Sequence, residues 1–318
     1  MRNVAIIGAG MAGLSAAERL LATGHGVVLF EKSRGFGGRM ATRRSGDFQF
    51  DHGAQYFTAR GADFFRQIAR WQTQGIVAEW GPGSYVGRPG MTAPARAMAK
   101  HHTCITEALV TRLERSSRGW RVMDERGEIE APNNGLFDAV VLAVPAPQAE
   151  PLAQSAGAHL PQLAQARYAP CIALMLAYEP ETRATGESWM RPDDSVIGWI
   201  AKNSSKPARP HDTQTWVVHA RAEWSRAHLD QDPQISGEIL HAHFKALTGI
   251  DAEPLYSAAH RWRYALVEQE IGLPCLFDEA AMIGACGDFC LGARVEAAYD
   301  SGRAMADTLA EAFAEIPA

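Results

Sequence analysis

The apolar positions fall into short blocks, each broken off by glycine or proline. Val4, Ala5, Ile6 and Ile7 form an unbroken apolar run, the pattern of a strand buried on both faces. A glycine-rich stretch from Gly8 to Gly13 interrupts it. Residues 14–22 then show Ala and Leu at helical spacing, with Gly24 placed to stop a helix. Residues 27–30 read as a second strand that ends at Glu31. Residues 138–144, closed by Pro145 and Pro147, and residues 281–287 read as two more strands. The last leads into a helix predicted over 294–313. Its Val295, Ala298, Met305 and Leu309 share a face only loosely, which implies cover from more than one side.

The texture changes between these blocks. Residues 165–270 hold five of the eight tryptophans. They also carry β-branched or aromatic runs at 172–178, 196–200 and 215–220, and a Pro/Ser-rich loop at 204–210. The pattern predicts an α/β protein: a Rossmann-type dinucleotide-binding domain built from 1–75, 100–165 and 270–318. A sheet-based substrate domain from 76–99 and 166–269 is inserted into it.

Composition narrows the class. A length of 318 residues suits about two domains, and 47% apolar with 21% charged residues is an ordinary globular balance. A net charge of −5 speaks against a general nucleic-acid binder, which needs surplus positive charge to displace phosphate counterions. Cys104, Cys171, Cys275, Cys286 and Cys290 are an odd, scattered set, expected as reduced thiols in a cytoplasmic protein. No apolar run reaches eighteen residues, so no membrane span is expected, and the run at 4–7 is too short for a signal peptide. No metal site is expected either, because His241-x-His243 would put two imidazoles on different faces of a helix. Asn203-Ser204-Ser205 fits a glycosylation pattern without a secretory context.

The chemistry begins at Gly8-x-Gly10-x-x-Gly13, which follows a strand, opens a helix and precedes an acidic strand end, Glu31, eighteen positions on. Gly8 permits the tight turn, Gly10 lets the backbone approach a pyrophosphate, and Gly13 lets helix and strand pack closely. Met11 and Ala12 lie where the helix N-terminus offers N–H groups to phosphate. Glu31 is placed to accept from the adenosine ribose hydroxyls. Lys32 and Arg34 would admit a 2′-phosphate, but Glu31 would repel it, which favours an unphosphorylated adenosine.

After Glu31 comes Gly35-Phe36-Gly37-Gly38-Arg39, and here the chain resembles the flavin-dependent amine-oxidase superfamily. Glycines such as Gly38 let a loop hug a pyrophosphate, and Arg39 can offer it a bidentate cation; Arg43 and Arg44 read as a solvated basic loop. The resemblance implies FAD in an amine-oxidase-like flavoprotein fold, and with no attachment motif in the sequence the FAD is expected to be non-covalent. It also implies that Asp288, in Gly287-Asp288-Phe289, binds the ribityl or pyrophosphate part, and that the helix starting near Arg294 and Val295 points at the flavin. Val110 sits where relatives hold adenine with strand backbone. Residues 51–57, with Ala54, Gln55 and Tyr56, resemble the loop that passes beside the isoalloxazine ring.

His260-Arg261-Trp262-Arg263-Tyr264-Ala265 and the overall layout are similar to renalases, especially their bacterial branch. Renalases oxidise 2- and 6-dihydro forms of NAD(P) to NAD(P)+, and O2 takes the electrons to give H2O2. The resemblance therefore implies a dihydronicotinamide dinucleotide as substrate. Gln55, Tyr56, His260, Trp262, Arg263 and Tyr264 are the expected pocket residues, and no catalytic group is needed beyond flavin N5. Two other readings stand beside it. An amine oxidase of the same fold would be favoured if Lys202 or Lys245 sat at the flavin. A flavin-binding sensor without turnover has no appended signalling segment in its support.

Overall fold

The computed structural model describes residues 1–184 and 187–315. The chain opens with β1 (Asn3–Ile7), α1 (Met11–Ala22) and β2 (Gly26–Glu31). A hairpin of β3 (Arg43–Ser45) and β4 (Phe48–Phe50) follows, then α2 (Ala62–Thr73), a second hairpin of β5 (Val77–Gly81) and β6 (Ser84–Gly87), and α3 (Ala93–Ala99). β7 (Thr103–Thr106) precedes an antiparallel trio, β8 (Arg112–Ser116), β9 (Gly119–Asp124) and β10 (Gly127–Glu128), and then β11 (Ala139–Leu142) and α4 (Ala146–Ser155). The next group is β12 (Arg167–Tyr178), β13 (Trp189–Met190), β14 (Ile197–Lys202), β15 (Gln214–Ala220), α5 (Ala222–Ala227), α6 (Pro233–Thr248) and β16 (Tyr256–Gln269). β17 (Leu276–Asp278), β18 (Ile283–Ala285), α7 (Asp288–Leu291) and α8 (Val295–Glu315) end it.

Two sheets organise the molecule. The first has the order β17-β18-β11-β1-β2-β7, with β18, β11, β1, β2 and β7 parallel. Its central strands are buried on both faces, as their unbroken apolar runs require. α1 and α8 cover one face in close contact: Ser15 Oγ donates to the Tyr299 carbonyl at 2.6 Å, and a Cβ on Gly302 would collide with the Ala12 carbonyl. That crossing explains why α8 shows no clean apolar stripe. It buries Ala297, Ser301 and Met305, while Val295 and Ala298 are only partly covered.

The second sheet has the order β13-β14-β15-β12-β16 and is antiparallel throughout. α6 covers one of its faces through a core of Ile172, Leu174, Trp216, Val218, Leu240 and Phe244. Residues 76–99 depart from the expected domain division. Val77, Val86, Ala95 and Met98 pack in the same apolar cluster as Leu14 and Ala17 of α1, so this segment sides with the dinucleotide fold.

Candidate active site

The nucleotide end is built by close backbone approaches. Gly8 has φ +106°, and a Cβ there would lie 2.6 Å from the Ala143 carbonyl oxygen; a Cβ on Gly13 would run into Gly8 itself. Gly10, by contrast, has open space where its Cβ would stand. α1 begins at Gly10 with no side-chain cap and no acidic residue in its first turn, so Met11 and Ala12 start a helix whose positive end is left for an anion. The 35–38 loop closes over it: Gly37 N donates to the Ala9 carbonyl at 2.9 Å, and a Cβ on Gly38 would sit 3.7 Å from Gly10 Cα. Glu31 is buried at the end of β2. Its two oxygens accept from the amides of Ala9 at 3.0 Å and Ser33 at 2.8 Å. These features fit a dinucleotide's phosphates and ribose. Lys32 beside Glu31 is exposed.

Val110 differs from its expected setting. It is not in a strand but in the loop between β7 and β8, where Ala108 N donates to the Glu31 carbonyl at 3.0 Å. The positive φ of Glu107 turns the chain out of β7 just before it.

Arg39 and Asp288 join the two ends of the chain. Both guanidinium nitrogens of Arg39 reach the Asp288 carboxylate, at 2.6 and 2.7 Å, and the Tyr168 ring lies 5.9 Å from Arg39 Cζ. The bidentate partner of Arg39 is thus a carboxylate of the chain itself, where the sequence suggested pyrophosphate. Tyr264 belongs to this end, with its ring 5.6 Å from that of Tyr168. Val295 opens α8, and the next residue, Glu296, is turned away to the amides of Arg60 and Gly61 at 2.8 and 2.6 Å.

The face of the second sheet turned away from α6 supplies the other wall. Strand register places Trp199, His219, Ala173 and His260 directly opposite one another across β14, β15, β12 and β16, so they share a face. Trp262 follows on the same face, two residues along β16. The 51–57 loop lies over this row. His219 Nε2 reaches the His52 carbonyl at 3.1 Å and Trp262 Nε1 donates to the same oxygen at 3.0 Å. The His52 ring packs 4.8 Å from His260 and 5.0 Å from Trp262, and Tyr56 lies 5.9 Å from Trp199. A Cβ on Gly53 would strike the Arg39 carbonyl, and Ala54 N donates to that oxygen at 2.9 Å, which locks the loop to the nucleotide end.

The imidazoles of this wall are held neutral. Burial pushes His52 down to about 3, helped by the charge of Arg43 and by unfavourable coupling to a second imidazole, His260, and pushes His219 to about 4. His260 is lowered by the same cause, again with Arg43 contributing. His52 Nδ1 is buried without a hydrogen-bond partner.

Arg263 is not a pocket residue. Adjacent strand residues point to opposite faces, so it leaves the wall that Trp262 joins and meets Asp230 at 3.1 Å. Lys202 and Lys245 lie on that far side too. Lys202 pairs in register with Trp216 on the face under α6, and Lys245 Nζ donates to the Asp251 carbonyl at 3.3 Å.

The sequence reading missed Lys206 and Arg209. Asp51 is fully buried, and its carboxylate accepts from Thr42 Oγ1 at 2.7 Å, Met91 N at 3.0 Å, Arg209 Nη2 at 2.6 Å and Lys206 Nζ at 3.4 Å. Lys206 Nζ also donates to Gln55 Oε1 at 3.2 Å, and Gln55 Nε2 donates to the Asp51 and Gly53 carbonyls. Burial alone would raise the Asp51 carboxyl; Lys206 and Arg209 override it and hold it at about 2. Burial lowers Lys206 to about 8 against the pull of Asp51. The side chains of Lys206 and Arg209 have no accessible surface, so they brace the loop from behind and line no cavity. Asn203 is buried in the same brace, bonded to the Asp51 amide and the Gln49 carbonyl, which removes it as a glycosylation acceptor. His241 and His243 go to separate partners, Tyr178 and Asp194.

Known proteins agree with this architecture. The profile of the NAD(P)-binding Rossmann-like domain matches residues 6–71, and that of the flavin containing amine oxidoreductases matches residues 68–310. The chain belongs to the flavin containing amine oxidoreductase family, and its cofactor class is therefore a flavin. Its fold is shared by cyclohexylamine oxidase from Brevibacterium oxydans IH-35A, with TM-score 0.73, 14% identity, 99% of this chain and 100% of that one covered. An oxidoreductase from Methanosarcina mazei aligns with TM-score 0.64 and 13% identity over 96% of this chain and 100% of that one. Among curated proteins, a 4,4'-diapophytoene desaturase of Staphylococcus haemolyticus (strain JCSC1435) is 50% identical over 50 residues, 16% of this chain. The match spans 10% of that relative's length.

Proposed function

We propose that the protein is a renalase-like oxidase that binds FAD non-covalently and oxidises 2- and/or 6-dihydro-NAD(P) to NAD(P)+. Bound in the cradle, FAD supplies the two-electron acceptor that takes hydride from the substrate and returns the electrons to O2 as H2O2.

The observation that supports this reading is the chemistry of the site wall. From Trp189 to Trp262 the residues sharing that face of the sheet include neither a lysine nor a carboxylate. An amine substrate arrives as an ammonium and must shed a proton before it can lose hydride. A dihydropyridine becomes aromatic by losing hydride alone, so it asks for flat contact surfaces and hydrogen-bond groups. Trp262, Tyr56 and Tyr264 offer the first, and His260 and His52 the second, while Gln55 is tied into the brace behind the loop. Gly8, Gly10, Gly13, Gly38 and the start of α1 would hold the phosphates, with Glu31 toward the ribose. Arg39 and Asp288 brace one another beside the flavin.

Variants separate this reading from an amine oxidase. Trp262→Ala should slow anaerobic reduction of the flavin by a 2- or 6-dihydronicotinamide at least tenfold while FAD stays bound. A Lys202→Ala, Lys245→Ala double variant should reduce at the wild-type rate. A slow double variant, or an unaffected Trp262→Ala protein, would contradict the assignment of the wall.

A further inference from the structure

The wall continues past the residues assigned above, toward the free edge of the sheet. Trp189 pairs in register with Ala201, which puts it on the same face as Trp199 and His219. Its ring stacks on Trp199 with centroids 5.0 Å apart and planes 13° from parallel, and Trp199 in turn touches Tyr56. Trp189 keeps 42% of its surface exposed, on a two-residue edge strand. An indole stacked on a second indole and open at a sheet edge offers a flat surface on which a planar ligand can stack.

Two further observations mark a binding place. Arg191 holds its guanidinium 5.2 Å from the Trp199 ring, is exposed, and pairs with no carboxylate among the described residues. Nearby Asp194 does not neutralise it, since that carboxylate is taken up by His243 and by the amides of Val196 and Ile197. The indole N–H of Trp199 is buried with no acceptor among the described residues. Aromatic surface, an unpaired guanidinium and an unmet donor together match a flat heteroaromatic base carrying phosphate. β13 lies three strand spacings from β12, about 14 Å. That reach lets an extended dinucleotide run from the edge toward the His52 and His260 end of the wall.

We propose that Trp189, stacked on Trp199 and flanked by Arg191, seats the adenine nucleotide half of the dinucleotide substrate. This rests on the dihydronicotinamide reading above and adds to it. The nicotinamide end would be read by the His52, His260 and Trp262 wall, and the adenylate end by this stack. Arg43, whose charge reaches His52 and His260, is the rival cation on the opposite flank.

The test compares ligands with and without the adenylate. FAD-loaded wild type, Trp189→Ala, Arg191→Glu and Arg43→Ala are titrated anaerobically with 6-dihydronicotinamide mononucleotide and with the matching dinucleotide. ADP-ribose binding to the same holoproteins is measured by calorimetry. Trp189→Ala and Arg191→Glu should each weaken the dinucleotide and ADP-ribose about tenfold, one stacking or charged contact's worth. They should leave the mononucleotide and the limiting reduction rate unchanged, and Arg43→Ala should not mimic them. Equal weakening of both nucleotides, no weakening of either, or an adenylate effect confined to Arg43→Ala would overturn the proposal. If neither nucleotide reduces the flavin, the dihydronicotinamide reading falls and calorimetry alone decides the stack. ADP-ribose binding lost in Trp189→Ala would keep it, and absent or unchanged binding would remove it.

Discussion

At the scale of single residues the site rests on Asp51. Its carboxylate neutralises part of two buried cations, and Gln55 is held by one of them. Asp51→Asn would leave Lys206 and Arg209 buried against a neutral amide. Breaking a buried pair from one side costs about 3–5 kcal/mol, which urea unfolding of the FAD-loaded protein should register; a loss below about 1 kcal/mol would contradict the brace. Acid acts through His52 as well. Its folded value of about 3 lies below the ordinary 6.5, so between those values the unfolded chain holds a proton that the folded one refuses. Stability should therefore fall as pH drops through that window, by up to about 1.4 kcal/mol per unit from this group. His52→Gln should flatten the slope of urea midpoint against pH between 6 and 4, and an unchanged slope would show that the imidazole does not titrate as described. None of this brace was legible in the sequence. The stretch 204–210 reads as a solvated Pro/Ser loop, and nothing local reveals that Lys206 and Arg209 meet a carboxylate about 150 positions away.

At the scale of elements the sequence is readable where a local pattern carries the constraint. The Gly8, Gly10 and Gly13 turn is visible because each glycine answers a backbone demand within a few residues. The demands differ, and that difference can be measured. Gly10 has φ −80° and open space around it, so Gly10→Ala should keep wild-type thermal stability as apoprotein and lose FAD. Gly13→Ala has no room and should lose both. Equal behaviour of the two in melting and flavin content would contradict the division of labour. Strand alternation in β16 is equally legible: it separates Trp262 from Arg263. The α1 and α8 crossing was not legible, because the glycine that permits it, Gly302, answers a helix far away in sequence. Val110 shows the converse, a residue expected on a strand that the backbone of Glu107 turns into a loop.

At the scale of the whole molecule, the proposed function depends on two walls joined by one loop. The dinucleotide fold contributes the glycine turn, Glu31 and the Arg39–Asp288 brace, and the inserted sheet contributes the aromatic and imidazole row. The 51–57 loop joins them, bonded through Ala54 to the Arg39 carbonyl and through the His52 carbonyl to His219 and Trp262. Family membership follows from the match over residues 68–310, while on the proposed reading the substrate follows from the second wall, which local sequence only hints at. The direct test is an anaerobic titration of the wild-type protein, following the flavin visible bands. Additions of 2- and 6-dihydro-NAD(P), ordinary 4-dihydro-NADH and NADPH, and a panel of primary and polyamines are compared. Rapid bleaching by a 2- or 6-dihydro isomer, with amines inert, is the predicted result. Bleaching by amines alone would contradict the account and make the protein an amine oxidase.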